Sequence, residues 1–306
     1  ESDVKTPDFI CDAASAALKR GQTFYTHKWG IPALRETLAI YNGGLYGIDV
    51  ATERVTVTSS GMTGIMMLMQ ALVGAGDNIL LIDPIWPNGA SAAQVMGGEV
   101  RRVSLDANSQ GDWHLDLDKL FAAANERTKL IFVNSPGNPT GWMMEQDQQQ
   151  ALLNFCRARG IWIIADEVYG RLVYGRRVAP SFLEIATPDD SVVVVNSFSK
   201  SWAMTGSRMG WLIHPAWISE QLGDLVEFNT SGTPEFLQEA GIVAVRDGED
   251  TVAAMLELCR VGRDAASRRL AEMPRVIYNL PTAAFYAFFK VDGMENSLEF
   301  AKRLAL

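Results

Sequence analysis

Residues 192–195 are a run of four valines, a pattern that predicts a fully buried strand. The run passes through Asn196 into Ser197-Phe198-Ser199-Lys200. Lys200 is thereby held at the carboxyl end of a core strand, and lysine is seldom buried without a partner or a task. Eight residues on, Arg208 heads a second apolar segment, residues 209–213. One chemistry for this set is a lysine amine that forms a Schiff base, with two hydroxyls and an arginine holding a phosphate beside it. The other reading is an ordinary loop lysine and a solvated arginine.

Other segments offer partners. Asp166-Glu167-Val168-Tyr169 ends a run of five apolar residues. A carboxylate at the end of a buried strand needs a partner. Asp166 is suited to hold a proton on a ring nitrogen, with Tyr169 reaching the same ring; alternatively Asp166 is a helix N-cap. Residues 134–141, Asn-Ser-Pro-Gly-Asn-Pro-Thr-Gly, hold two prolines and two glycines after another buried strand. Such a loop is stiff and would keep an asparagine side chain still. Ser60-Gly61-Met62-Thr63 joins a strand to a helix start, where free N–H groups and the helix dipole favour a phosphate. The plainer reading is a Ser-Gly turn capped by Thr63. It is not GxGxxG, so no dinucleotide fingerprint is present. Trp86, between Pro84 and Pro87, is placed to stack on a flat cofactor, although a tryptophan is as readily core.

The elements that must position these residues follow from periodicity. Strands are predicted at 54–58, 78–82, 99–105, 129–134, 161–165, 192–196 and 209–214. Helices are predicted at 7–20, 31–41 (closed by Asn42-Gly43-Gly44), 65–73, 90–96, 115–125 and 146–159. This alternation predicts an α/β fold of three layers, a mainly parallel sheet covered on both faces. Ligands on such sheets bind beyond the carboxyl ends of the strands, and the polar segments above all fall there. From residue 216 the alternation stops. Helices at 216–228, 234–245 and 251–272 are followed by strands at 275–278 and 284–291. The expected division is a large α/β domain, 10–248, and a small α+β domain, 249–306, with residues 1–9 joining it.

Composition narrows the function. The 306 residues are 48% hydrophobic and 21% charged, with a formal net charge of −9. That acidic balance argues against nucleic acid or anionic membrane as partner. No run of 18 apolar residues occurs, so no spanning helix is expected. Cys11, Cys156 and Cys259 are odd in number and far apart, which reads as reduced thiols in a cytoplasmic protein. His27, His114 and His214 show no metal-ligand spacing. The start at Glu1 and the stop within an amphipathic pattern after Ser297 suggest segments missing at both ends.

Taken together, and in order along nearly the whole chain, these motifs resemble the class I/II aminotransferases, fold-type I enzymes that use pyridoxal 5′-phosphate. Ser197-x-Ser199-Lys200 followed by Arg208-x-Gly210 is the most specific piece; Asn138-Pro139-Thr140-Gly141 and Asp166-x-x-Tyr169 come next. The resemblance implies that Lys200 carries the cofactor as a Schiff base and, once displaced by an amino acid, acts as general base. It implies that Ser197, Ser199 and Arg208 bind the phosphate with Gly61, Met62 and Thr63. Asn138 and Tyr169 would bond the cofactor's phenolic oxygen, Asp166 its pyridine nitrogen, and Trp86 would stack on the ring. Tyr25, five residues before Gly30-Ile31-Pro32-Ala33-Leu34-Arg35, matches a tyrosine that reaches the neighbouring subunit's phosphate, which implies a homodimer with shared sites. The implied reaction moves an amino group between an L-amino acid and a 2-oxo acid in two alternating half-reactions. Two rivals stand beside it: an eliminating C–S lyase or cyclopropane-forming synthase with the same cofactor, and the sensor domain of a transcription regulator. In one respect the chain departs from the pattern. Residues 281–286, Pro-Thr-Ala-Ala-Phe-Tyr, resemble the strand before the family's substrate-carboxylate arginine, with Ala283 where glycine is usual, and that arginine would fall beyond Leu306. His27, Lys28 and Trp29 line the neighbour's pocket on one reading and a solvated loop on the other.

Overall fold

The computed structural model describes residues 3–305; Glu1, Ser2 and Leu306, the ends of the two stretches expected to belong to the small domain, lie outside the described residues. Helices α1 (Asp8–Lys19) and α2 (Pro32–Tyr46) lead into β1 (Val55–Thr58) and α3 (Gly61–Leu72). β2 (Asn78–Asp83), α4 (Asn88–Val95) and β3 (Glu99–Ser104) follow. A small hairpin, β4 (Asp106–Ala107) and β5 (Trp113–His114), precedes α5 (Leu117–Ala123). Next come β6 (Thr128–Asn134), α6 (Gln146–Arg157), β7 (Trp162–Asp166), β8 (Val192–Ser197), the single turn α7 (Phe198–Ser201) and β9 (Gly210–Ile213). Helices α8 (Ser219–Thr230), α9 (Glu235–Asp247) and α10 (Glu249–Ala271) then run to a two-stranded pair, β10 (Val276–Ile277) and β11 (Lys290–Val291), and to α11 (Ser297–Leu304).

Seven strands form one sheet in the order β1-β9-β8-β7-β6-β2-β3. β9 runs antiparallel to both of its neighbours, and the other four pairings are parallel. Side chains alternate across each strand. Ile131 and Val133 of β6, Ile163 and Ala165 of β7, and Val194 of β8 pack into one core with Leu34 and Leu38 of α2, Leu152 and Leu153 of α6, and Ala240 and Ala244 of α9. Leu130, Phe132, Ile164, Val193 and Val195 face the other way, against Ile65, Leu68 and Met69 of α3, Ala90 and Ala93 of α4, and Leu222 of α8. The part of a strand buried between two cores must be apolar at every position, which is why β8 opens with four valines before Asn196 and Ser197. The expected mainly parallel, three-layer α/β arrangement is what forms.

Two local expectations are corrected, and one element is added. Helix α2 does not close at Asn42-Gly43-Gly44. The buried Asn42 amide donates to Leu38 O at 2.7 Å, and the helix ends instead at Gly47 (φ 69°), whose N–H donates to Gly43 O. The hairpin β4–β5, too short for a periodic signal, had no counterpart in the prediction. Residues 284–291 do not make one strand: only Lys290–Val291 pairs, with Val276–Ile277. Residues 282–284 instead lie against 172–174. Ala284 N–H donates to Leu172 O at 2.7 Å, Tyr174 N–H donates to Thr282 O at 2.9 Å, and Val173 bridges Ala283.

Candidate active site

Strand register brings the chemistry together. Asn134 at the end of β6 is the partner of Asp166 at the end of β7, Val195 of β8 pairs with Asp166, and Ser197 pairs with Gly210 at the start of β9. Because β9 runs backwards, its entry rather than its exit lies at this edge, and Arg208 arrives there with it. Thr58 at the end of β1 also pairs with Gly210, which sets the start of α3 beside them. The cavity at this edge has a volume of about 630 Å³. Gly61, Met62, Trp86, Asn138, Asp166, Tyr169, Ser197, Ser199, Lys200 and Arg208 all line it.

Asp166 is buried at 4% exposure. Its Oδ1 accepts the Val168 N–H at 3.3 Å, and no helix follows; residues 167–171 make a turn, so Asp166 is not a helix N-cap. Burial pushes its carboxyl up to about 7, opposed by the Val168 N–H and by the positive charge of Lys200. Lys200 is half-buried, its Nζ 5.6 Å from the Phe285 ring centre and 5.8 Å from that of Tyr169. Ser197 Oγ caps α7 by accepting the Ser199 N–H at 3.1 Å and donates to Ser199 Oγ at 2.9 Å. Arg208 adopts the left-handed conformation (φ 48°), with Nη1 donating to Thr205 O at 2.7 Å, and its side chain is exposed. Left-handed backbone at a non-glycine residue collects at ligand clamps.

The start of α3 is built by Ser60, not Thr63. Ser60 Oγ accepts the Thr63 N–H at 3.0 Å, and Thr63 Oγ1 lies 3.0 Å from Ser60 Oγ and 3.2 Å from Ser59 O. Thr63 is accordingly turned away from the cavity, while Gly61 and Met62 open on it. Asn138 and Trp86 are tied together, the Trp86 N–H donating to Asn138 O at 2.8 Å.

Tyr25 is elsewhere. It is 89% exposed and lines a surface hollow with Thr230–Phe236 rather than the Lys200 cavity. The end of its loop is pinned: Trp29 Nε1 donates to Ser219 O at 2.7 Å, and Lys28 pairs with Glu220 and Asp224 at 2.8 and 2.7 Å. Among the described residues no cluster of His, Cys, Asp or Glu is placed to hold a metal.

Two groups of site residues escaped the sequence reading. Asn134 lines the cavity and fixes two others: its Oδ1 accepts the Asn138 N–H at 2.7 Å and its Nδ2 donates to Asp166 O at 3.2 Å. Its position, last in a buried strand before a stiff loop, was the available signal. Phe285 and Tyr286 close the cavity from the far end of the chain; the resemblance at 281–286 marked their segment but gave these two no place in the site.

The chain that sets the Lys200 amine beside a buried carboxyl and a helix start is similar to known proteins over nearly its whole length. The family described as aminotransferase class I and II matches residues 1–305. An aspartate aminotransferase of Pyrococcus horikoshii is 31% identical, over 98% of this chain and 76% of that protein. An LL-diaminopimelate aminotransferase of Nitratidesulfovibrio vulgaris is 33% identical, over 98% of this chain and 77% of that one. In three dimensions, an aspartate aminotransferase of Thermotoga maritima superposes with a TM-score of 0.91 at 30% identity, covering 99% of this chain and 79% of that one. These relatives carry the names of aminotransferases, so neither the eliminating lyase nor the regulator's sensor domain is favoured. The match takes in every strand that brings a residue to the Lys200 cavity, and the chain belongs to the class I and II aminotransferases.

Proposed function

We propose that the Lys200 cavity holds pyridoxal phosphate and that its residues use it to exchange an amino group between an L-amino acid and a 2-oxo acid. The observation that carries this reading is the meeting of three unlike groups in one cavity: the Lys200 amine, the buried Asp166 carboxyl, and the start of α3 beside Arg208. This donor set fits the cofactor group by group. A carboxyl that resists ionising alone suits a protonated ring nitrogen. A helix start and an arginine suit a phosphate. A lysine amine suits an aldehyde.

When bound, the cofactor supplies an electron sink for the pair left on the substrate's α-carbon. Lys200 Nζ would hold it covalently and, once displaced by the substrate amine, would be the base that takes the α-proton and returns it at C4′, the carbon on the other side of the shared nitrogen. Asp166 keeps the ring-nitrogen proton in place. Asn138 and Tyr169 hold the phenolic oxygen, and Trp86 covers a ring face. Ser197, Ser199, Arg208, Gly61 and Met62 hold the phosphate. Thr63 serves by closing the cap with Ser60 instead of by touching the phosphate.

The same reading takes the working unit to be a homodimer in which each Tyr25 reaches the partner's phosphate. The 89% exposure of Tyr25 on a loop anchored by Trp29 supports it. The 10–248 and 249–306 division belongs to this proposal, with α10 as the connector. So does a cytoplasmic location, which the three unpaired cysteines support. The test is covalent. Borohydride treatment of the yellow protein should fix the cofactor to the peptide containing Lys200. A label on any other peptide, or none, would remove the proposal.

A further inference from the structure

Tyr286 is 117 positions from Tyr169, yet their hydroxyl oxygens are 2.5 Å apart. The rings meet edge to face, at 79°, and Phe285 packs on Tyr169 at 81°. The contact is held from outside the site, because Ala284 and Thr282 are hydrogen-bonded to the backbone at 172–174. Tyr174 Oη adds a bond to Ala284 O at 2.7 Å. Burial raises both tyrosines, so both keep their protons at neutral pH.

A phenol has one proton and two lone pairs. A negatively charged oxygen in the cavity is a better acceptor than a neutral tyrosine. With the cofactor's phenolic oxygen in place, as proposed above, Tyr169 gives its proton there and has only lone pairs left for Tyr286. We infer that Tyr286 is a positioning residue: its hydroxyl donates to Tyr169 Oη and commits the Tyr169 proton to the cofactor's phenolic oxygen. Each bond in such a chain polarises the next. The effect belongs to the form in which the phenolic oxygen carries most charge, which is the form lacking a proton on the Lys200 nitrogen. Tyr286 therefore lowers the pH at which that nitrogen loses its proton. Asp166, Lys200 and Arg208 are the charged groups facing the same cavity, from β7, α7 and the entry to β9.

The test reads the visible absorbance of the cofactor-loaded protein against pH. Tyr286→Phe keeps the ring and its edge contacts and removes only the hydroxyl. Its midpoint should rise by about half to one pH unit, a roughly three- to tenfold change in proton affinity. In a Tyr169→Phe background the same substitution should move the midpoint by less than about 0.2 unit, since the path runs through Tyr169. Fluorotyrosine in place of Tyr286, a stronger donor of nearly the same shape, should lower the midpoint and tests the idea if Tyr286→Phe folds poorly. A midpoint unchanged or lowered in Tyr286→Phe would overturn the inference alone, as would an equal rise in the Tyr169→Phe background. Wild-type protein with no cofactor at Lys200 would instead overturn the proposed function, and this inference with it.

Discussion

A Cβ on Gly210 would stand 2.5 Å from the backbone nitrogen of Gly61. It would also lie 2.7 Å from Asn196 O and 2.9 Å from Ser60 C. The end of β8, the entry to β9 and the start of α3 close on one point that admits no side chain. That closure sets Arg208 beside the helix start, and backbone atoms cannot swing aside as a flexible side chain can.

Gly210→Ala should therefore cost about 1–3 kcal/mol of stability, the range for forcing extra volume into a packed site. It should also weaken cofactor binding at least about tenfold, because Arg208 and α3 separate. Gly44→Ala, on α2 and away from the cavity, is the control. Its Cβ would meet no heavy atom within 4 Å. Urea unfolding and cofactor titration of both variants check the contrast, and equal effects would deny the special closeness at Gly210.

Two neighbouring carboxyls make stability depend on pH. Burial raises Asp166 from 3.8 to about 7 and Glu167 from 4.5 to about 8. Both carboxyls hold protons in the fold that the unfolded chain has released. Their contribution is complete below about pH 4 and is lost as pH rises through about 7 and about 8. Each group costs at most about 1.4 kcal/mol per pH unit across its window. Cofactor-free protein should lose stability from pH 4 to 8, and Asp166→Asn should flatten the part below about pH 7. Loading with cofactor should flatten it too, since a ring-nitrogen proton favours the charged carboxylate. Denaturant midpoints at a series of pH values give the slope directly.

Asp166→Ala should still bind cofactor, through Lys200 and the phosphate contacts, yet lose at least about a hundredfold in turnover. Charge enters the ring in the transition state, where a preorganised partner counts most. Single-turnover absorbance with an amino acid measures this, and near-normal rates would refute the role given to Asp166.

Much of this site could be read from sequence because its residues sit where strands stop. Asp166 closes the apolar run 161–165 and Ser197 stands just past the run 192–195, and a parallel sheet places such ends at one edge. Glycines and prolines marked the loop at 134–141, and Ser60-Gly61 the turn into a helix. What could not be read depended on long-range packing. Phe285 and Tyr286 reach the cavity only because 282–284 pair with 172–174, a non-local contact without periodicity. Ser60 and Thr63 are both reasonable caps by type, and the choice rests on backbone geometry: Ser60 sits at φ 137° with its Oγ over the Thr63 N–H. Helix α2 outran its Gly43-Gly44 signal because Asn42 found a partner inside the helix.

The exposed ring of Tyr25 leads to the last expectation, on assembly. A side chain 89% exposed on an anchored aromatic loop, outside the lining of the Lys200 cavity of its own chain, suits donation across a two-fold interface. Such a pair exchanges the loop twice and makes two equivalent sites. Tyr25→Ala and Lys200→Ala, each nearly inactive alone, should then complement when subunits exchange. A mixed dimer has one site carrying both lesions and one carrying neither. With random pairing of equal amounts, roughly half the dimers are mixed and each has one intact site, so activity should recover to at most about a quarter of wild type. Exchange is followed by mass spectrometry of the intact pair, so that recovery is scored only where mixed dimers exist. Mixed dimers without recovered activity would rule out sharing. Tyr25→Ala that keeps most activity by itself would mean that Ser197, Arg208 and the start of α3 hold the phosphate unaided. In that case cofactor affinity replaces activity as the measure: Tyr25→Ala should still weaken binding, and equal affinity would exclude the contact.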